Sequence, residues 1–398
     1  MILVINSGSS SVKFQLFGVP DLAVIATGMV EEIGKPTGHA HIICPDSAGE
    51  NRKIERECAV PGHKEAMEVM ASLLTETGHD INQVTGIGHR VVHGGESFRK
   101  PLIIDRKVLD AIEELVPLAP LHNPANLTGI RIAMERAPDT PQVAVFDTAF
   151  HQTIPEHAYL YALPYDLYTD YRVRRYGFHG TSHHYVSKQA ARFMDIPYHR
   201  AMIITLHLGN GASAAAIKHG QCVDTSMGLT PLEGLIMGTR SGDIDPAILF
   251  YLSRQAGMDI EALDRLLNRE SGLKGICGEN DMRTITEKAD QGDRQARLAL
   301  EMFCYRIRKY IGAYLAALGG ADCIVFTGGI GENSPVVRHL CCQGLDGLGI
   351  RIHDDRNRAT ANGIRKISKD DSPVTLLVVP TDEELEIASQ TLKLIADR

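Results

Sequence analysis

A strand–turn–strand stretch at residues 2–17 constrains the fold of this chain more than any other feature. Residues 2–5 form a continuous apolar run, which predicts a strand buried on both faces. Residues 6–11 are small and polar and predict a turn, while residues 12–16 alternate apolar and polar as a second strand. Backbone N–H groups in such a turn can approach an anion closely, and Lys13 adds charge. A phosphate site and an ordinary hairpin with a polar turn are both open at this stage.

The same pattern returns about half a chain later. Residues 202–206 are apolar, 207–213 read as a tight turn, and 214–217 as another strand. The glycine at position 209 falls where Gly8 does in the first unit. The repeat therefore predicts a duplicated α/β domain with a ligand held between the halves. A chain of 398 residues is also long enough for two domains, and the region around residue 150 is the candidate boundary.

Composition excludes several classes of partner. A net charge of −8 argues against nucleic acid and against an anionic membrane surface. No apolar run approaches the roughly 18 residues that a membrane span needs, and the opening lacks the pattern of a signal peptide. The eight cysteines have no C-x-x-C spacing, which predicts free thiols rather than a zinc site or disulfides. These features favour a cytoplasmic protein.

Several charged residues follow predicted strands or lie in glycine-rich loops of the first half. Arg90 lies between two histidines in a stretch, residues 87–95, that ends in Gly94 and Gly95, which suggests an anion site at a strand end. The strand at 142–146 ends in Asp147, where ligands of open α/β sheets gather. Asn123 is predicted to cap a helix at 123–136, with Pro124 at its first position.

The second half contains further candidate site residues. Residues 174–184 lead into a helix predicted to be capped by Thr181 or Ser182, and for His183 and His184 we expect a structural role. The glycine-rich loop 234–246 presents Arg240 from a backbone that can lie against a ligand. A solvent-exposed loop arginine is the alternative reading of Arg240.

A strand at 323–326 runs into a glycine loop at 327–333, an arrangement by which nucleotides are held at helix N-termini. The loop matches neither a P-loop nor the G-x-G-x-x-G pattern. Residues 281–283 place an acid and a base near a helix start. The last helix opens at Thr381, whose spacing to Glu384 fits a capping box, leaving Glu383 for function or for stabilising the helix dipole.

Together these motifs resemble the acetate kinase family of acetate and propionate kinases, within the superfamily of sugar kinases, actin and heat-shock ATPases. The resemblance covers nearly the whole chain, in the order that the family has. It rests on seven segments: residues 6–14, 89–95, 146–148, 177–183, 207–211, 237–243 and 326–333.

The resemblance implies two duplicated ribonuclease-H-like domains with a cleft between them, usually in a homodimer. Residues 1–150, joined by a C-terminal helix 381–398, would handle the acyl substrate and phosphate, and residues 151–380 the nucleotide. One departure is visible, since Asp382 stands where the family commonly has Asn. An acid there could tighten metal binding or simply cap the helix.

The resemblance also implies roles for individual residues. Asn6 and Glu383 would hold Mg²⁺, with Mn²⁺ as a possible substitute, and Arg90, Asp147, His179 and Arg240 would be catalytic. Arg90, Val92, Leu121 and Pro231 would bind the acid, the last three around its alkyl group. Contacts to ATP or ADP would come from Lys13, from His207, Leu208, Gly209, Asn210 and Gly211, from Asp281, Met282 and Arg283, and from Gly329, Ile330, Gly331, Glu332 and Asn333.

The implied reaction converts ATP and acetate to ADP and acetyl phosphate. Acetate is already ionised at pH 7 and can attack the γ-phosphorus without a general base, so positioning and charge stabilisation supply the catalysis. Asp147 is expected to orient a magnesium-bound water or an arginine, although an acid/base role fits the same position. The alternatives are a propionate or short-chain fatty acid kinase and, in another class, an actin-like or heat-shock-like ATPase binding module that transfers nothing to a metabolite.

Overall fold

The computed structural model describes residues 1–45, 50–120 and 122–397. The strands are β1 Ile2–Ser7, β2 Ser11–Phe17, β3 Val24–Glu31, β4 Gly38–Pro45, β5 Asn51–Cys58, β6 Gly86–Val91, β7 Leu102–Ile103, β8 Gln142–Phe146, β9 Met202–Leu208, β10 Ala212–Lys218, β11 Gln221–Thr225, β12 Cys323–Thr327, β13 Arg365–Lys366 and β14 Thr375–Val378. The α-helices are α1 His63–Glu76, α2 Arg106–Glu114, α3 Asn123–Arg136, α4 Glu156–Tyr159, α5 Asp166–Tyr171, α6 Gly180–Phe193, α7 Ala247–Ala256, α8 Ile260–Arg269, α9 Gly272–Cys277, α10 Met282–Asp290, α11 Arg294–Leu318, α12 Gly328–Asn333, α13 Pro335–Cys342, α14 Asp354–Arg358 and α15 Glu383–Ala396. Short 3₁₀ turns lie at Ile81–Gln83, Val116–Leu118, Ala149–Thr153, Tyr198–Arg200 and Asp346–Leu348.

The chain divides into two compact units. Unit 1 contains Met1–Phe150 and Asp382–Arg398, and unit 2 contains His151–Thr381. In unit 1 an eight-stranded sheet has the order β5-β4-β3-β2-β1-β6-β8-β7. Strands β1, β6 and β8 are parallel to one another, and β1 to β5 run antiparallel in series.

The sheet of unit 1 is covered on both faces, as the continuous apolar run of β1 predicts. On one face Leu3 and Ile5 pack in a core that includes Met67 and Leu73 of α1. On the other face Ile2 and Val4 pack with Ile387 and Ala388 of α15. The C-terminal helix is therefore part of the core of the N-terminal unit.

Unit 2 is built on a six-stranded sheet of order β11-β10-β9-β12-β14-β13. Strands β9, β12 and β14 are parallel, whereas β10 pairs antiparallel with both β9 and β11. Helix α11 buries Phe303, Ile307 and Ile311 along one side. Its N-cap is Asp293 and it ends at Gly319, whose φ of 79° suits glycine.

The two sheets contain the same series of five strands. The series β3-β2-β1-β6-β8 in unit 1 corresponds to β11-β10-β9-β12-β14 in unit 2: three antiparallel strands in sequence, followed by two strands parallel to the first. This is the order expected of a ribonuclease-H-like fold. The predicted α/β fold class with a duplicated architecture is confirmed.

Two predicted helix caps are wrong, because tertiary hydrogen bonds take the capping side chains. Helix α3 has His122 at its N-cap position, and the amide of Asn123 instead pairs with the N–H and the C=O of His93, each at 3.1 Å. Helix α6 begins at Gly180 with His179 as N-cap residue, and the hydroxyl of Ser182 lies 2.8 Å from His207 Nδ1.

The start of the C-terminal helix also differs from the prediction. Helix α15 covers Glu383–Ala396, shorter than the predicted 381–398, and its N-cap is Asp382, whose Oδ1 accepts from Leu385 N–H at 2.8 Å. Thr381 makes no capping box; its hydroxyl lies 2.8 Å from Ser182 Oγ. Asp382 therefore caps the helix, as one of its two readings predicts.

Within the described part of the chain, no helix combines the length and apolarity that crossing a bilayer would require.

Candidate active site residues

Three predicted site residues of unit 1 lie at the carboxyl ends of neighbouring parallel strands. Asn6 is near the end of β1, Arg90 near the end of β6, and Asp147 directly follows β8. Register pairs Ile5 with His89 and Val91 with Phe146, so the three residues stand side by side across the sheet. The carboxyl edge of parallel strands is where such folds bind ligands.

Arg90 is the centre of this group. Its Nη2 donates to Asp147 Oδ2 at 2.5 Å, its Nη1 donates to Asn6 Oδ1 at 3.4 Å, and its Nε lies 3.7 Å from Glu383 Oε2. Burial on its own would lower the pKa of Arg90, but Asp147 and Glu383 raise it. The guanidinium is therefore permanently charged and fixed in orientation.

Glu383 stands at the first position of α15, and the helix brings it back to the β1–β6–β8 edge. Burial, together with the neighbouring Asp147 and Glu384, outweighs Arg90 and raises the pKa of Glu383 to about 7. A carboxylate that is only 18% exposed and whose charge is so incompletely balanced is suited to a cation.

The oxygen donors of Asn6 and Glu383 fit a magnesium ion. Mg²⁺ prefers oxygen ligands and commonly uses one or two carboxylates while keeping several waters. Both side chains contact the same guanidinium of Arg90. A grouping of three or more His, Cys, Asp or Glu with metal-binding geometry is absent from the described residues, so a site here would be of this sparse kind.

Lys13 faces the same edge from β2. Register pairs it with Asn6, its side chain is exposed, and its charge acts on Glu383. The turn between the strands is held by Gly8 N–H donating to Ser11 O at 2.8 Å, with a His63 ring nitrogen 2.8 Å from Gly8 O.

Val92 continues from β6 and is 7% exposed. Its N–H donates to Asn126 Oδ1 at 3.1 Å, and the Asn126 amide donates to Ser7 O at 2.7 Å. Helix α3 thus ties the predicted alkyl-pocket residue to the end of β1. Leu121, predicted for the same pocket, lies outside the described residues.

In unit 2, His179 and Arg240 lie together at the turn between β9 and β10. A Cβ atom added to Gly211 would lie 3.5 Å from His179 Nε2 and 3.8 Å from Arg240 Nη1, so both groups border the space beside this glycine. The ring of His179 stacks on His207 with centroids 4.3 Å apart. His179 has a φ of 56°, a strained value for a residue with a side chain and one often found at functional sites.

Arg240 has neutral neighbours. Its Nη1 donates to the carbonyl of Pro231 at 3.3 Å and lies 3.8 Å from Met237 Sδ, and burial lowers its pKa. The contact places the predicted pocket residue Pro231 next to Arg240.

The loop that carries Arg240 is fastened at its base. Asp243 Oδ1 accepts from Gly234 N–H at 2.7 Å, and Tyr310 donates to Asp243 Oδ2 at 2.9 Å. Arg306 donates to the carbonyls of Gly234 at 2.9 Å and Asp243 at 3.1 Å. Both Arg306 and Tyr310 lie on α11, so a long helix anchors the glycine-rich loop.

The predicted nucleotide loop after β12 is a short helix, α12, rather than an open loop. Glu332 Oε1 accepts from the N–H groups of Gly328 at 3.0 Å and Thr381 at 3.1 Å. Arg338 is 1% exposed and donates through Nη1 to the carbonyls of Gly331 and Glu332, each at 2.9 Å. Glu332 is thus held inward by the backbone, and Gly329 and Ile330 lie on the outer part of the helical turn.

Asp281 and Arg283 are paired with each other at the start of α10. Asp281 caps the helix, and its carboxylate accepts from Arg283 Nε at 3.1 Å and Nη2 at 2.6 Å. The hydrogen bonds from Arg283 lower the pKa of Asp281 to about 2. Met282 between them is buried.

Sequence reasoning missed the residues that support the site, among them Ser213, Thr205, Asp243, Arg306 and Arg338. Their partners lie many positions away on other elements, so no spacing pattern reveals them. For Ser213 a weak signal existed, because it stands two residues after Gly211, at the end of the predicted turn.

Residues 1–389 match the Acetokinase family. The chain is 52% identical to an acetate kinase of Helicobacter acinonychis over 396 residues, 99% of each chain, and 52% identical to one of Streptomyces coelicolor over 399 residues, 100% of this chain and 97% of the other. The crystal structure of Porphyromonas gingivalis acetate kinase superposes with a TM-score of 0.93 at 45% identity, covering 99% of both chains. A propionate kinase of Francisella tularensis gives 0.92 at 42% identity, covering 98% of this chain and 99% of the other. The chain therefore belongs to the acetokinase family.

Proposed function

We propose that this protein is a kinase that reversibly transfers the γ-phosphoryl group of ATP to acetate, giving acetyl phosphate and ADP. One observation carries the proposal beyond family membership: a guanidinium and an imidazole border the same space beside Gly211. Donors so placed match the oxygens of a transferring phosphoryl group, where charge develops in the transition state.

The acid needs no general base in this reaction. A carboxylic acid with a pKa near that of Glu is ionised at neutral pH and attacks phosphorus directly. Asp147 accepts from Arg90 at 2.5 Å, an arrangement suited to holding the guanidinium rather than to taking a proton. Asp147 therefore orients Arg90, whose remaining donor edge binds the carboxylate of the acid or the transferred phosphoryl group.

Unit 1 is proposed to bind the acid and the metal. Asn6 and Glu383 would hold Mg²⁺, or Mn²⁺ in its place, and Lys13 would contact the nucleotide phosphates. The metal ion, when bound, neutralises charge on the phosphate oxygens. Val92 and Leu121 would limit the length of the alkyl group. Pro231, which belongs to unit 2, is proposed for the same role.

Unit 2 is proposed to bind ATP and ADP. In the turn His207 to Gly211, Gly211 lies beside His179 and Arg240. Gly329 and Ile330 lie on the outer part of α12. Residues Asp281, Met282 and Arg283 would add the remaining contacts. Arg240 and His179 would bind the phosphoryl group as it moves.

The deciding experiment is a hydroxamate assay of the purified protein with ATP, Mg²⁺ and acetate, in which hydroxylamine traps the acyl phosphate. We expect acetohydroxamate to accumulate in proportion to ADP. Hydrolysis of ATP without hydroxamate would instead support the nucleotide-driven binding module, which leaves Arg90, His179 and Arg240 without a task.

Propionate is the leading competitor as acyl acceptor. An extra methylene in an apolar pocket changes binding by only about 1–3 kcal/mol, so activity with several short acids is expected. The relatives named as acetate kinases at 52% identity, and the modest size of Val92, favour acetate. Comparison of kcat/KM for acetate, propionate and butyrate tests this preference, and a higher value for propionate would reverse it.

Two further features belong to the proposal. The protein is proposed to form a homodimer, because α7 is rich in apolar side chains yet has no buried residue in the single chain. It is also proposed to act in the cytoplasm, since all eight cysteines are free thiols, as a reducing compartment would keep them.

A further inference from the structure

A continuous series of hydrogen bonds runs from the interior of unit 2 to His179. His183 Nδ1 lies 2.7 Å from Thr205 Oγ1, and His183 Nε2 lies 2.7 Å from Ser213 Oγ. The same Ser213 Oγ lies 2.9 Å from His179 Nδ1. We call these residues the Thr205–His183–Ser213 relay. It joins three elements, since Thr205 is on β9, Ser213 on β10 and His183 on α6.

The three relay residues are fully buried, each with 0% exposure. Burial holds the pKa of His183 well below its ordinary value, and the neighbouring rings of His151 and His207 act in the same direction. His183 is therefore a neutral imidazole, which has one N–H and one lone pair. Each hydroxyl of the relay likewise has a single hydrogen to donate.

If both imidazoles donated to Ser213 Oγ, the Ser213 hydrogen would have no acceptor among the described residues, so Ser213 accepts from one ring and donates to the other. Two directions of donation meet this condition. In the first, Thr205 donates to His183 Nδ1, His183 Nε2–H donates to Ser213, and Ser213 donates to His179 Nδ1. In the second, every donation is reversed and begins at His179 Nδ1–H. The distances between heavy atoms are the same in both directions. The direction is therefore decided by the hydrogen bonds available to the residues at the two ends of the relay.

The Thr205 end of the relay, which is buried, distinguishes the two directions of donation. Among the residues that the structure describes, the Thr205 hydroxyl has no hydrogen-bond partner other than His183 Nδ1. The reversed direction would leave the Thr205 hydrogen buried and unpaired, which is costly. The first direction satisfies every donor in the relay.

We propose that Thr205, His183 and Ser213 are positioning residues that hold His179 as the neutral tautomer with its proton on Nε2, on the side of the ring that borders Gly211 and Arg240. The inference rests on the proposed function for its catalytic meaning, because it specifies what His179 presents to the phosphoryl group.

This tautomer gives His179 and Arg240 different chemical roles. With Nδ1 accepting from Ser213, the Nε2–H of His179 is a fixed hydrogen-bond donor. His179 adds no second positive charge next to Arg240, and it offers no lone pair toward the reacting groups. The relay thus makes His179 a donor to phosphoryl oxygen and excludes it as a base.

The direct test is ¹⁵N NMR of the full-length protein labelled at histidine, because protonated and unprotonated ring nitrogens resonate far apart. Loss of one ring system in His179→Gln assigns the signals. At pH 7 we expect His179 to show an unprotonated Nδ1 and a protonated Nε2. A protonated Nδ1 in the wild-type protein would overturn the inference, whatever the activity.

Kinetics supply the second test. Thr205 lies two groups away from His179, so Thr205→Val removes the first donor while nearly preserving shape, and Thr205→Ser retains the hydroxyl. We expect Ser213→Ala to lower kcat about 10- to 100-fold, Thr205→Val to lower it several-fold, and KM for ATP to change little. Thr205→Ser should restore kcat. Equal kcat in Thr205→Val and Thr205→Ser would contradict the relay.

A matched control is Ser187→Ala, which removes another fully buried hydroxyl of unit 2, bonded to His184 O and Tyr198. It should leave kcat unchanged. The catalytic role of His179 and its tautomer are tested separately. If His179→Ala transfers phosphoryl groups at the wild-type rate, the proposed catalytic role of His179 fails, whereas the tautomer is decided by the NMR measurement alone.

Discussion

Arg90 and Arg240 have the same side chain but opposite electrostatic surroundings. Arg90 lies among Asp147 and Glu383, which raise its pKa. Arg240 is surrounded by a carbonyl and a thioether, burial lowers its pKa, and no carboxylate lies within ion-pair distance of it in the described chain. The charge of Arg90 is largely balanced within the protein, whereas that of Arg240 is available to an anion. Arg240 is therefore the stronger candidate for stabilising a transferring phosphoryl group.

Replacing Arg240 by Ala should show this difference in the rate of transfer. Arginines that stabilise phosphoryl transfer contribute about 10³-fold or more to kcat, and we expect a loss of that order with ADP affinity nearly unchanged. Steady-state kinetics and ADP titration measure the two effects. Arg106→Ala, at a side chain 90% exposed, is the control. Equal turnover in Arg240→Ala would refute the assigned role.

His89 predicts how stability depends on pH. It is 2% exposed, lies 2.7 Å from Gln142 Oε1, and burial lowers its pKa from 6.5 to about 4. Because the folded-state pKa lies below the unfolded one, the unfolded chain binds the extra proton first, and stability falls as pH drops from about 6.5 toward 4. Between pH 7 and pH 5 this residue should account for about 2 kcal/mol of the loss.

The measurement compares denaturant unfolding of wild type and His89→Gln at the two pH values. His89→Gln should lose about 2 kcal/mol less than wild type over this interval, even if it is less stable at both. The exposed His157, changed to Gln, should leave the pH dependence as it is. An unchanged pH dependence in His89→Gln would show that the buried imidazole is protonated without penalty.

At the scale of elements, strands were more predictable than helix ends. The apolar run of β1 and the alternation of β2 follow directly from sequence, because burial imposes period and composition on a strand. Caps did not follow, because Asn, Ser and Thr bond whichever backbone or side-chain group lies nearest. Asn123 pairs with His93, and Ser182 with His207. Those partners are set by tertiary packing, which local sequence does not encode.

The contact of α15 with β6 gives an element-scale prediction. A Cβ atom at Gly88 would lie 2.5 Å from Thr391 Oγ1 and 2.8 Å from Ile387 Cγ2, both on α15. Gly88→Ala should therefore push the helix off the sheet, destabilise the protein by about 1–3 kcal/mol, and raise the Mg²⁺ concentration needed for activity by displacing Glu383.

The matched substitution is Gly312→Ala on α11, where no atom lies within 4 Å of the added Cβ. Alanine is the better helix former by about 0.5–1 kcal/mol, so this variant should be as stable as wild type or slightly more so. Thermal unfolding and Mg²⁺ titration compare the two. A Gly88→Ala protein with wild-type metal dependence would mean that α15 does not position Glu383.

At the scale of the whole molecule, the duplication was visible in sequence because each unit opens with the same apolar strand, glycine turn and second strand. The residues that each sheet brings to its carboxyl edge could be predicted from the sequence only in part. The end of β8 predicted the position of Asp147, and the family resemblance assigned Asn6 and Glu383 to one metal site. How these residues come to lie beside Arg90 follows only from the strand order and from a helix at the far end of the chain. Long-range pairing of this kind leaves no local periodicity.

The proposed homodimer makes a prediction about mass. Phe250 and Tyr251 on α7 are 62% and 61% exposed, and Leu298, Met302 and Tyr305 form an exposed apolar stripe at helical spacing on α11. We expect sedimentation to give twice the 43.5 kDa of one chain, and Phe250→Glu combined with Tyr305→Glu to give the monomer. Val24→Glu, at another exposed apolar residue but in unit 1, should remain dimeric. A monomeric wild type would contradict the proposal.

The return of the last helix to the first sheet has a consequence for synthesis. Ribosomes make the chain from its N-terminus, so the face of β1 that bears Ile2 and Val4 stays uncovered until Ile387 and Ala388 leave the exit tunnel. A chain truncated before residue 383 would leave this hydrophobic face open and would lack Glu383, the carboxylate proposed for magnesium. The face of β1 that packs against α1 can be covered early in synthesis, whereas the opposite face and the proposed metal site must wait for the last helix.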